Sequence, residues 1–236
     1  GSSLLFALDG FKARPTIDID LLGERISNDR DSLKEVFQKV CSVECEDDGV
    51  RFDAGSLELE PIAIEKKYPG TCVKVVAHLD TIVQQVSVDI GFGDVVTPYP
   101  VSLDYPLLLP DVPAVEIYAY SLETLIAEKF HTMVDRDESN SRMKDFFDVY
   151  QLFTYHEIDK ALLEEAIVST FKNRNTSYKD NLALFTNTFA QDDTRNAWWK
   201  AFLKKIRWKE HIDFSDVMNC IKENLQEYWK EDVLGR

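Results

Sequence analysis

Hydrophobic and polar positions alternate with two different periods along this chain, and the change from one to the other divides it. "RPTIDIDLL", residues 14–22, alternates strictly: Ile17, Ile19 and Leu21 take one side, Asp18 and Asp20 the other, the two-residue period of a strand. Residues 2–9 read as a helix start. "DRDSLKEVFQKVCSVEC" spaces Leu33, Val36, Phe37 and Val40 as an amphipathic helix does, with Asn28 or Asp29 as its cap. Strand-like segments follow at about 50–54, 57–64, 72–79 and 83–91, then a Pro-rich stretch and a short strand at about 114–119. From Ser121 the period becomes helical, over about 121–135, 140–154, 158–172, 180–188, 193–206 and 213–230. The expectation is an α+β protein: a mixed sheet with mostly antiparallel neighbours and flanking helices over 1–120, then a helical bundle over 121–236.

The strand at 14–22 otherwise reads as buried, so two carboxylates on one of its faces need an explanation. Like charges a few ångströms apart repel, and burying them unpaired is costly. Either that face is open to water or something positive sits between them. A third acid, Asp89, shares a side with Ser87 in "VQQVSVDIGFGD", opposite Val86 and Val88. Antiparallel neighbours would bring it beside Asp18 and Asp20. Three such carboxylates make a hard oxygen site of the kind Mg²⁺ occupies in nucleotide transfer. The plainer alternative has Asp20 and Asp89 ending their strands at solvent.

Two helices carry charge where apolar residues dominate. In "SLETLIAEKFHTMVDRD", Lys129 lies on or beside the stripe of Leu122, Leu125, Ile126, Phe130 and Met133. It either snorkels outward or answers a negative charge in a cleft. In "SRMKDFFDVYQLF", Lys144, Asp145 and Asp148 stand among Phe146, Phe147, Val149, Tyr150, Leu152 and Phe153. Charges so surrounded suggest a built polar contact, and surface pairing is the alternative.

Taken in order, these pieces resemble the AbiEii/AbiGii-type nucleotidyltransferases, a branch of the DNA-polymerase-β-like superfamily. The matching residues are Gly1-Ser2-Ser3, Arg14-Pro15-Thr16-Ile17-Asp18-Ile19-Asp20-Leu21, Asp89, Ala127-Glu128-Lys129 and Arg142-Met143-Lys144-Asp145-Phe146-Phe147-Asp148. The resemblance implies a nucleotidyltransferase-like sheet, a helical domain completing the nucleotide cleft, Mg²⁺ or Mn²⁺, and a nucleoside triphosphate substrate. It implies a toxin of a bacterial toxin–antitoxin or abortive infection system, with a cognate antitoxin. Some relatives resemble enzymes that extend transfer RNA acceptor ends, and GTP binding is associated with the type. By position, Asp18 and Asp20 would hold metal, and Asp89 would complete the triad and activate the acceptor hydroxyl. Ser2 and Ser3 would meet phosphates at a helix N-terminus. Lys129 would face the triphosphate, Lys144 and Asp145 would line the nucleotide side, and Arg14 would contact phosphate or brace the Asp18–Asp20 strand. Ser2 replaces the commoner second Gly, and the Lys that precedes the first Gly in the family lies outside the chain.

Composition narrows the partners. A formal charge of −15 over 236 residues argues against a general nucleic-acid coat and leaves room for one local basic patch. "RNAWWKAFLKKIRWK" (195–209) is that patch: six bases, no acid, and Trp198, Trp199, Phe202 and Trp208 interleaved. It reads as an RNA contact, as an antitoxin surface, or as a helix with Trp198, Phe202 and Ile206 packed inward beneath a solvated basic face. The four cysteines follow no disulfide framework and suit free thiols in the cytoplasm; a zinc site is the minor alternative. No apolar run is long enough to span a membrane. The leading expectation is an NTP-dependent nucleotidyltransferase toxin acting on an RNA (tRNA) end. The alternatives are transfer to a small molecule or protein hydroxyl, a non-catalytic NTP-binding module, and a plain interaction domain.

Overall fold

Alternation in the first half and helical spacing in the second are both realised in the computed structural model, which describes residues 2–43, 45, 49–62, 70–106 and 114–235. The chain opens on helix α1 (Ser2–Asp9), followed by strand β1 (Ile19–Leu22), helix α2 (Arg30–Cys41), and strands β2 (Val50–Ile62), β3 (Gly70–Leu79) and β4 (Ile82–Gly91). These residues pack as two units, one comprising 16–94 and the other 2–15 together with 95–236.

In the first unit the sheet order is β1-β4-β3-β2. β2, β3 and β4 are antiparallel neighbours, whereas β1 runs parallel to β4. Asp80 adopts φ 50° between β3 and β4, a left-handed conformation that Asp tolerates in tight hairpin turns. One face carries Leu57, Leu59, Val73, Val75 and Ile90, with Val86 and Val88 partly buried, and packs against Leu33 and Phe37 of α2. That helix starts where its cap predicts: the Asp29 carboxylate accepts the Ser32 N–H at 2.8 Å, while Asn28 accepts from the Thr71 hydroxyl instead. The opposite face is polar.

Two strand expectations change. The segments near 50–54 and 57–64 are one strand interrupted by a bulge between Asp53 and Glu58. The bulge keeps its polar groups satisfied, because the Asp53 carboxylate accepts from Gly55 N–H and the Ser56 hydroxyl accepts from Val76 N–H. Residues 63 and 64 of that expectation lie outside the described residues. β1 is not a buried strand over 14–22. It is a four-residue edge strand, and Ile17, Ile19 and Leu21 are 95%, 39% and 49% exposed.

The second unit combines α1 with a hairpin of β5 (Val101–Tyr105) and β6 (Val115–Ala119), then helices α3 (Leu122–Arg136), α4 (Met143–Tyr155), α5 (Lys160–Asn173), α6 (Asn187–Gln191), α7 (Asp193–Lys205), α8 (Phe214–Leu225) and α9 (Glu231–Leu234). Its core joins Leu4 and Leu5 of α1 to Phe130, Phe146, Phe147, Phe171, Trp199 and Phe214, all nearly or fully buried. Burying each aromatic ring contributes roughly 1.5–3 kcal/mol. The helix expected over 180–188 is a 3₁₀ turn (Ala183–Phe185) followed by the short α6, and the one expected over 213–230 ends as α8 at Leu225. No helix among the described residues is long and apolar enough to cross a membrane. All four cysteines are free.

Candidate active site

The first unit puts its acids on the polar face of the sheet, opposite α2. Asp20 on β1 is in register with Asp89 on β4, Asp89 with Cys72 on β3, and Cys72 with Glu60 on β2. Residues in register share a face, so these four form a row across the sheet. Asp20 and Asp89 become neighbours through a parallel pairing, not the antiparallel one expected from the strand run. Both are exposed, and neither has an ion-pair partner among the described residues. Asp18 lies just before β1, also exposed, with its N–H donating to the Thr16 hydroxyl at 3.1 Å.

Other members of that face are already satisfied. Lys74 meets Glu60 at 2.6 Å, so that acid already has a cation. The Cys72 thiol is pushed up to about 11 by burial and by its hydrogen bond to the Asp89 carboxylate, so it stays protonated and donates to that carboxylate. Gly23 closes the end of β1. Its N–H donates to the Gly91 carbonyl, and a Cβ there would overlap the Phe92 ring. A larger residue would therefore push against Phe92 where β1 is tied to β4.

Among the described residues, no three His, Cys, Asp or Glu side chains stand as a group ready to hold a metal ion. Two of the three expected carboxylates are brought side by side, and Asp18 lies two residues before Asp20, just outside β1. Exposed, unneutralised carboxylate oxygens are the donor type a hard divalent cation takes, so this face fits such an ion in chemistry.

The second unit holds a different cluster. Lys129 on α3 is buried, and its ammonium donates to Asp145 Oδ1 at 3.0 Å and Asp148 Oδ2 at 2.8 Å, both on α4. Arg14 closes on Asp148 bidentately, Nε to Oδ1 at 2.6 Å and the terminal nitrogen to Oδ2 at 2.9 Å. Arg142 takes the remaining oxygen of Asp145 at 2.7 Å. Charges alternate along Arg14–Asp148–Lys129–Asp145–Arg142, leaving one net positive charge. Of the sequence alternatives for Lys129, the structure takes the answering of negative charge. Burial alone would lower its pKa, but Asp148 and Asp145 more than offset that and hold it above the usual lysine range. Burial would likewise raise Asp145; Lys129 and Arg142 overcome it and hold the carboxyl below the usual range. Asp145 also sits in the first turn of α4, where the helix dipole favours a carboxylate.

The remaining expected residues fall as follows. Ser2 and Ser3 occupy the first turn of α1; Gly1 and the Ser2 side chain lie outside the described residues. Lys144 is half-buried on α4. Asp148, read from the sequence as part of a built polar contact but not as a site residue, is the centre of the cluster: it is fully buried and binds two cations. Its place at the end of the R-x-K-D-F-F-D motif was the signal. A concavity of about 450 Å³, lined by Lys222, Glu223, Gln226, Glu227, Trp229 and Lys230, contains none of these residues.

Comparison with known proteins bears on the identity of the chain. No curated protein matches it. Among solved structures, JHP933 from Helicobacter pylori is 11% identical, with 95% of this chain and 83% of that one covered at a TM-score of 0.45. A candidate nucleotidyltransferase from H. pylori is 14% identical, with 89% and 87% covered at a TM-score of 0.42. Likenesses at that level carry no argument. The family description "Nucleotidyl transferase AbiEii toxin, Type IV TA system" matches residues 1–220, which include every candidate residue. The chain belongs to the AbiEii family of toxin nucleotidyltransferases.

Proposed function

We propose that this nucleotidyltransferase transfers a nucleoside monophosphate from an NTP to the end of an RNA, with a tRNA end as the leading acceptor. The acceptor hydroxyl oxygen bonds to the α-phosphorus, the bond from that phosphorus to the pyrophosphate breaks, and pyrophosphate leaves. Asp89 takes the hydroxyl proton, and Asp18, Asp20 and Asp89 would hold the divalent cation, Mg²⁺ or Mn²⁺. When bound, that ion neutralises phosphate charge and polarises the phosphorus. Ser2 and Ser3 meet phosphate at the start of α1. Arg14, Lys129, Lys144 and Asp145 are assigned to the nucleotide. The protein acts in the cytoplasm under control of a cognate antitoxin. The observation that supports this reading most is the register of Asp20 beside Asp89 on an open sheet face, with no ion-pair partner for either among the described residues.

The test incubates the protein, and its Asp18→Ala variant, with each α-labelled NTP, Mg²⁺ and total bacterial RNA. Label entering RNA with the wild type alone is the expected result, and the productive NTP identifies the base. Metal-dependent NTP binding without label in RNA would replace the acceptor with a small molecule or a protein hydroxyl.

A further inference from the structure

The basic stretch at 195–209 is largely helical, and Phe202 and Ile206 pack against the core as their spacing suggests, but the inward tryptophan is not the expected one. Trp199, not Trp198, is the inward residue: it is 1% exposed and its indole N–H donates to the Ile212 carbonyl at 2.7 Å. Trp208 and Phe202 pack edge-on against Phe147. Trp198 is left 42% exposed on the outer side of α7. Ala201, three residues on along the same face, is small and exposed.

The bases separate in the same way. Arg195 is engaged inward, paired with Asp192, stacked over the Phe189 ring and donating to the Glu138 carbonyl. Lys200, Lys204, Lys205, Arg207 and Lys209 are all exposed, and none makes an ion pair among the described residues. Other cations such as Lys12, Arg30, Lys34 and Lys172 also make no ion pair among the described residues; these five differ in lying together within ten residues with no acid between them. The helix C-terminus accounts for Lys204 and Lys205, since cations are favoured in a last turn. It does not account for Lys200, nor for Arg207 and Lys209 beyond the helix.

Arg207 also sits at a backbone cost. The Trp208 N–H returns to the Leu203 carbonyl and the Arg207 N–H to the Lys204 carbonyl, a Schellman close with Arg207 at φ 56° in the position glycine normally takes. A long cation is thus held where a residue without a side chain would be the easier choice.

We propose that the outer side of α7 and the turn after it form a docking surface for single-stranded RNA, a base stacking on Trp198 while phosphates meet the five unpaired cations. The rest of the molecule is strongly acidic and repels a polyanion, so this patch also sets the orientation of approach. The surface extends the RNA-end reading given above and rests on it.

The test measures fluorescence anisotropy of a labelled 12-nucleotide uridine oligomer with the full chain over a range of salt. Trp198→Ala is expected to weaken binding about tenfold, and Trp198→Phe to recover most of it, because stacking tolerates the change of ring. Lys204→Ala with Lys205→Ala is expected to shallow the log–log salt slope by about 1.4, two phosphate contacts' worth for a single strand. Wild-type affinity and slope in these variants would overturn the proposal, as would unchanged RNA affinity combined with lost neutralisation by the antitoxin. Transfer assays separate the two readings. Variants that label RNA at wild-type KM would remove the surface and leave the reaction. A wild type that binds the oligomer through Trp198 yet labels only another acceptor would leave the surface and remove the RNA end.

Discussion

Among the described residues, Asp20 and Asp89 are exposed with no ion-pair partner, whereas Asp145 and Asp148 lie in a core with three cations around them. Both regions hold paired aspartates, and the difference is what each pair costs. In water, two unit charges about 5 Å apart repel by only roughly 0.8 kcal/mol, which a folded unit tolerates. In a core, an uncompensated charge costs several kcal/mol, so Asp148 is fixed by Arg14 and Lys129 before any ligand arrives. The first pair is available for chemistry because it is unanswered; the second shapes the helices because it is answered.

Substitutions should separate these roles. Asp20→Ala should lower transfer about a thousandfold or more, at least ~4 kcal/mol of transition-state stabilisation, while the thermal midpoint stays within a degree or two. An Asp20→Ala enzyme that transfers normally would take the carboxylate pair out of the chemistry. Asp148→Ala should do the reverse first, destabilising the fold by about 3–5 kcal/mol in denaturant titration, because Arg14 and Lys129 lose their partner in the core. A variant with unchanged midpoint would mean the buried network stabilises nothing.

The contrast also sharpens with pH. Asp145 is held below its unfolded value, so its contribution is complete above about pH 4 and is lost as pH falls through the folded pKa. Lys129 is held above its unfolded value, so its contribution is complete below about pH 10.4 and is lost as pH rises beyond it. Stability should therefore be flat between these limits and fall on both sides. Asp145→Asn should flatten the acid limb, and a wild-type profile that still falls equally in that variant would reassign the limb. The smallest effect expected is Arg207→Gly, which relieves the left-handed backbone and should raise stability by about 0.5–1 kcal/mol in the same titration.

Much of this was legible in the sequence, and the parts that were not share a cause. Period two showed that Asp20 and Asp89 each oppose apolar neighbours, and the packing of Val86 and Val88 beneath them follows it. It could not show strand direction, since a parallel and an antiparallel partner present the same alternation. Nor could it show that β1 is an edge strand, because Ile19 and Leu21 read alike whether one neighbour or two cover them. β5 went unread because five residues beside a Pro-rich stretch give too short a period to separate from turns. On α3, the charge that Lys129 answers was foreseeable, but its identity depends on how α4 packs across it. On α7, Trp198 and Trp199 are adjacent letters, and only packing decides which one is buried.

The second unit is discontinuous: residues 2–15 join a body whose other residues begin at 95, and the Arg14–Asp148 pair spans 134 positions. During synthesis, α1 and Arg14 leave the ribosome long before their partners do. At about 5–20 residues per second the wait to Asp148 is on the order of 7–27 s. The sheet that carries Asp20 and Asp89 is completed within that interval, while Leu4 and Leu5 have no core to enter. A newly made toxin chain therefore passes through a period with its carboxylate face formed and its helical body unmade.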